Sequence, residues 1–148
     1  MTISHYHGAA WHGLILNGAP IANLADAAGN APLTSLYAAL HSAAPGAGGD
    51  QTTSEVAYSG YARVAVPRDG SGWTVSDLVA TLVNSIDFPQ ATGGSVTATH
   101  FSLGTHPTGA GELLYFGALQ ESDGSDTSLA ISANIQLQVP AGATITLS

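Results

Sequence analysis

Tyr61-Ala62-Arg63-Val64-Ala65-Val66-Pro67-Arg68-Asp69-Gly70-Ser71-Gly72-Trp73-Thr74-Val75 is the stretch on which the fold class turns. In an extended chain, Ala62, Val64 and Val66 share one face and Tyr61, Arg63 and Ala65 the other, because side chains alternate along a strand. Pro67 has no N–H to give to a ladder and closes the run. Arg68-Asp69-Gly70-Ser71-Gly72 is a cluster of turn formers. Trp73-Thr74-Val75 then opens a second strand.

The same grammar extends in both directions. Upstream, Leu36, Ala38 and Leu40 alternate with Tyr37, Ala39 and His41, and a Pro/Gly loop follows over 44–50. Downstream, residues 79–83 and 85–88 are rich in Val, Thr and Ile and read as strands. Segments 96–103 and 113–119 read the same way, separated by the glycine-rich loop 104–111. Ile135, Leu137 and Val139 alternate with Gln136 and Gln138. Pro140-Ala141-Gly142 turns the chain, and Ala143, Ile145 and Leu147 alternate to the end. Many short strands bounded by Gly/Pro turns predict an all-β fold, a jelly roll or β-sandwich of about eight strands.

The N-terminal region breaks this pattern. Gly8, Gly13, Gly18 and Pro20 interrupt regular structure there, so residues 1–20 read as an irregular apolar arm. Tyr6, Trp11, Leu14, Ile15 and Leu16 would tie that arm to its own domain or to a neighbour. One short helix is predicted over 21–28, where Ile21, Leu24, Ala25 and Ala28 recur at helical spacing and Pro20 suits the first turn. Gly29-Asn30 would end it. The expected organisation is an arm, 1–20, and a single β-sandwich domain, 21–148, an ordinary size for one domain.

Composition narrows the function. Only 8% of the 148 residues are charged, and the formal net charge is −8. Arg63 and Arg68 are the only cations apart from histidine, and there is no lysine. Nucleic-acid binding needs clustered Lys and Arg, so no nucleic-acid partner is expected. Anionic membrane surfaces are disfavoured for the same reason. The first residues lack a basic region and do not read as a signal peptide. Apolar residues make up 45% of the chain. With so few charges, a free monomer would be short of protective surface, and coverage within an assembly is the expectation.

Chemistry-bearing motifs are sparse. His5 and His7 flank Tyr6; repeated around a three-fold axis they could supply imidazoles to a metal ion. Ordinary hydrogen bonding of an arm is the preferred reading, and no metal or other cofactor is expected. His12, His41, His100 and His106 are scattered, and His100 falls within a strand as a structural residue. No Gly-x-Ser-x-Gly elbow, HExxH or P-loop occurs. Glu55, Glu112 and Glu121 form no evident catalytic pair, so no enzyme is expected and no catalytic residue is assigned. Ser122, Asp123, Ser125 and Asp126 read as a polar turn rather than a calcium loop, since the spacing fits no EF-hand. Arg63 would form a two-pronged bond with a carboxylate, either across an interface or inside the chain. Tyr37, Tyr58 and Tyr61 join Trp11 as candidate interface anchors, whereas Trp73 reads as core.

Six segments in order carry a resemblance. They are Leu36-Tyr37-Ala38-Ala39-Leu40-His41-Ser42-Ala43-Ala44-Pro45-Gly46, Tyr61-Ala62-Arg63, Phe88-Pro89-Gln90-Ala91-Thr92-Gly93, Thr99-His100-Phe101, Leu113-Leu114-Tyr115-Phe116-Gly117-Ala118-Leu119 and the terminal Ile145-Thr146-Leu147. Together they resemble the pattern LYVALHTADPG, YAR, FPAATG, THF, LLFSGAL and ITL. That pattern marks a group of small bacteriophage virion proteins loosely described as tail-fibre-like. The resemblance spans about residues 18–148; residues 1–17 have no counterpart in it. It implies a non-enzymatic virion structural protein. The leading expectation is a capsid cement or decoration protein, packing on the major capsid protein and on itself as a dimer or trimer, at the capsid surface. The alternative is a tail-fibre or baseplate-associated module, with tail proteins as partners and a host-contacting role.

Overall fold

The computed structural model describes residues 5–20 and 33–146, with side chains from Ala9 onward in the first of these segments. The chain is mainly β, with several antiparallel sheets and one short helix. In chain order the elements are α1 (His5–Asn17), β1 (Ser35–His41), β2 (Val64–Pro67), β3 (Trp73–Ser76), β4 (Val79–Leu82) and β5 (Ile86–Asp87). They continue with β6 (Ser95–Ala98), β7 (His100–Gly104), β8 (Leu113–Ala118), β9 (Leu129–Ser132), β10 (Gln138–Val139) and β11 (Thr144–Thr146).

The chain forms two compact units. One comprises Met1–Ser35, Val66–Ile86 and Val139–Ser148; the other comprises Leu36–Ala65 and Asp87–Gln138. In the first, the sheet runs β11-β4-β3. Trp73 lies opposite Leu82 and Thr74 opposite Thr81, while Thr144 faces Thr81 from the other side. The 68–72 turn leads from β2 into β3, with the Gly72 and Trp73 N–H groups both donating to the Asp69 carbonyl at 3.0 Å, and Asp77-Leu78 closes the β3-β4 hairpin. Helix α1 packs on β3 and β4. His12 and Leu16 are one turn apart and fully buried, and Trp73, Ala80 and Leu82 complete this core.

The second unit is built on the sheet β2-β1-β7-β8, supplemented by the pair β6-β9. A two-residue ladder joins β10 to β5. Strand β1 faces β7 in the register Tyr37–Gly104 to His41–His100, and β7 faces β8 from His100–Ala118 to Leu103–Tyr115. A bulge between Leu103 and Gly104 shifts the register at the start of β8. Leu36, Ala38, Ala39, Leu40, Phe88, Leu103 and Ile131 form the fully buried core.

Two sequence expectations need correction. The arm is not irregular, because residues 5–17 are helical. Gly8 and Gly13 each cost a helix about 1 kcal/mol relative to Ala, but Ala9, Ala10, Leu14 and Leu16 favour it and burial of Leu16 and His12 offsets the loss. Gly18, at φ 63°, takes the left-handed conformation that ends the helix, and the Ala19 N–H reaches back to the Gly13 carbonyl at 2.9 Å. The described residues hold eleven strands rather than about eight. The run 96–103 is split at Thr99, whose N–H donates to the His41 carbonyl at 2.8 Å, and β9 carries no clear alternation in its sequence. The helix expected over 21–28 lies outside the described residues.

Candidate functional site

Within the second unit, Glu55, Tyr61 and Arg63 meet in a polar cluster. Glu55 sits across an isolated bridge from His41, at the end of β1. The Arg63 guanidinium grips it with two prongs, Nε to Oε1 and Nη2 to Oε2, both at 2.7 Å. The side chains are only 2% and 16% exposed, for Arg63 and Glu55 respectively, so water screens the pair little. The Tyr61 hydroxyl donates to Glu55 Oε1 at 3.0 Å and accepts the Leu40 N–H at 3.1 Å. The Tyr61 ring stacks on Phe88 at 6.4 Å and meets the edge of Tyr58 at 5.2 Å. Burial raises the Tyr61 phenol above its ordinary range, and the neighbouring carboxylate adds to the rise. Hydrogen bonding to Glu55 keeps the Arg63 cation protonated beyond its usual range.

This cluster fixes a loop. Arg63 Nη1 donates to the His106 carbonyl at 2.9 Å and Nη2 to the Gly109 carbonyl at 2.8 Å. Gln51, fully buried, takes the other side: its N–H donates to the Ala110 carbonyl at 2.8 Å and its Oε1 accepts the His106 N–H at 2.9 Å. A Cβ at Gly104 would lie 2.1 Å from Gln51 Cδ, and one at Gly111 would lie 2.1 Å from Oε1. Both positions therefore exclude a side chain. The tip, 106–110, is exposed on this rigid base, the usual arrangement of a binding loop on a scaffold.

Next to the loop, β8 is an edge strand of its sheet. Leu114 is 37% and Phe116 42% exposed, and the strand carries no charge and no proline. Proteins normally blunt such edges with charge, proline or bulges beside them. Here a bulge lies at Leu103/Gly104.

His41 and Ser102 make a third arrangement. His41 Nε2 lies 2.7 Å from Ser102 Oγ, and Nδ1 lies 2.8 Å from the Thr53 carbonyl. This is the hydrogen-bond half of a nucleophile–base pair. Both residues are fully buried, which keeps substrates away. Burial lowers the His41 pKa below its ordinary value.

The expected interface residues divide. Trp11 is 44% exposed on α1, Leu14 and Ile15 are half-buried, and Leu16 is fully buried. The backbone of His5, Tyr6 and His7 lies in the first turns of α1. Tyr37 is half-buried. Tyr58 is 5% exposed, with its hydroxyl donating to the Pro89 carbonyl at 2.8 Å, so it packs in the core of its unit. Of the two readings of Arg63, the internal pair is the one formed. Asp123 Oδ1 accepts the Ser125 N–H and hydroxyl at 2.9 and 2.6 Å, the geometry of a polar turn. Sequence reasoning passed over Arg68. Its guanidinium donates to the Leu14 and Ile15 carbonyls, capping the end of α1. The signal was its rarity, as one of two cations in an acidic chain.

Among the described residues, no group of three or more potential metal ligands gathers, and no helix is long and apolar enough to cross a membrane. No curated protein matches the sequence. One family profile does, over residues 16–140, which includes every strand up to β10 and the end of α1. The chain thus belongs to the family described as Podophage GP4 fiber I protein gp80, a family of phage fibre structural proteins and not an enzyme class.

Proposed function

We propose that this protein is a β-structured module of a phage tail fibre or of its attachment to the tail, acting by assembly and surface contact. The match to a fibre family over residues 16–140 carries this reading and supports it better than capsid cement. Two features agree. The uncharged edge β8, with Leu114 and Phe116 exposed, is suited to strand pairing with a second copy or a tail protein. The 106–110 loop, clamped by Arg63 and Gln51, is suited to presenting a fixed surface outward. Self-association as a closed dimer or trimer would cover the edge.

The test separates heads from tails in purified virions of the phage that encodes the chain and probes each fraction by mass spectrometry and immunogold labelling. Recovery with tails and label on fibres is the expected result. Recovery with heads alone would overturn the fibre reading and return the protein to the capsid surface.

A further inference from the structure

His41 joins three parts of its unit. Its ring sits on β1, contacts Ser102 on β7 and reaches the Thr53 carbonyl in the segment following the 44–50 loop. A carbonyl only accepts, so Nδ1 carries the proton in the neutral ring. Nε2 then accepts the Ser102 hydroxyl proton. All capacity is used, and neither side chain is exposed.

A second proton upsets this balance. Nε2 would become a donor, and Ser102 would have to turn its hydroxyl proton toward another acceptor in a buried site. The cation itself would lie out of water, which is costly without a partner. The neighbours do not supply one. Glu55 favours the cation, but its carboxylate already receives two Arg63 bonds and the Tyr61 hydroxyl. Arg63 opposes it, as does His100, directly opposite on β7. Burial is the largest influence and lowers the pKa from 6.5. An open state, with the ring in water, binds the proton more tightly. The closed state is therefore fully favoured above about pH 6.5 and loses ground as pH falls below it.

We propose that His41 is an acid-sensitive latch whose protonation releases the segment 50–56 and, with it, the Gln51 side of the clamp on the loop 105–111. Four hydrogen bonds link the latch to what it holds. The Ser42 N–H donates to the Ser54 carbonyl at 2.8 Å and the Val56 N–H to the Leu40 carbonyl at 3.0 Å. The Gln51 N–H donates to the Ala110 carbonyl, and the His106 N–H to Gln51 Oε1. Gln51 thus ties the loop to the segment that lifts. The proposal does not depend on where the protein sits in the virion.

Site-resolved amide hydrogen exchange on the full chain at pH 7.5 and 5.0, corrected for intrinsic rates, tests it. Protection of the Ser42, Gln51, Val56 and His106 amides should fall together between pH 7.5 and pH 5.0, following the protonation of His41. The β6-β9 ladder should keep its protection. His41→Gln, neutral throughout, should abolish the pH dependence, while His100→Gln should retain it. Direct NMR titration of the His41 imidazole in the unaltered protein decides the matter even if His41→Gln does not fold. Titration at or above 6.5 with protection intact would overturn the latch. So would a loss that follows His100, or one that begins in the β3-β4 ladder, where the buried His12 of α1 would be responsible.

Discussion

Arg63 and Arg68 carry the positive charge of this chain apart from histidine, and each spends it on the chain's own atoms. The need for a partner was legible: a lone arginine in an acidic chain requires a carboxylate or carbonyls. The identity of the partner was not. Glu55 lies eight residues away, and a turn with Gly60 at φ 94° intervenes. Arg63→Ala should cost about 3–5 kcal/mol, because it leaves a largely buried carboxylate unpaired and frees two loop carbonyls. Arg63→Lys should recover only part, since a single ammonium cannot match two oxygens in a fork. Urea unfolding midpoints measure both. A loss under about 1 kcal/mol for Arg63→Ala would mean that the pair behaves as an exposed one.

Among the elements, the strands were readable wherever one face is buried, as in β3 and β4, because burial imposes the alternation that sequence displays. Strand β9 was missed for the opposite reason: only Ile131 of its four residues is buried. Helix α1 was missed because Gly8 and Gly13 speak locally against a helix, while His12, a polar residue, occupies the buried face. Its Nε2 reaches the Leu78 carbonyl at 3.0 Å, a partner sixty-six residues distant. The junction of β7 with the 105–111 loop makes a sharper test. Gly104→Ala should destabilise the protein by about 1–3 kcal/mol, by forcing Gln51 out of its site. Gly104→Ala combined with Gln51→Ala should lose less than the sum of the single changes, a coupling of roughly 0.5–3 kcal/mol in a thermodynamic cycle. Strict additivity would show that the two residues do not share space.

For the whole molecule, the formal charge of −8 has a simple consequence. With both guanidiniums committed internally, copies of the chain meet as like-charged bodies, and contact is easiest along uncharged edges such as β8. Raising salt from about 0.02 M to about 0.3 M should therefore strengthen self-association in sedimentation velocity, because repulsion beyond a Debye length is screened. Association that weakens with salt would instead reveal ion pairs across the contact.

The sequence by itself determined the mainly β class, the turn that joins β2 to β3, the acidic and charge-poor character and the resemblance to phage virion proteins. Each of these rests on local pattern: period-two alternation, turn-forming residues, composition and motif order. Tertiary structure decided the rest. It turned an apparently irregular arm into a helix, paired Arg63 with Glu55, placed Tyr58 in the core and locked His41 between Ser102 and Thr53. Those outcomes depend on which distant segments come together in space, and the free energy that selects them is burial and hydrogen-bond satisfaction summed over the fold. No single stretch of chain contains that sum.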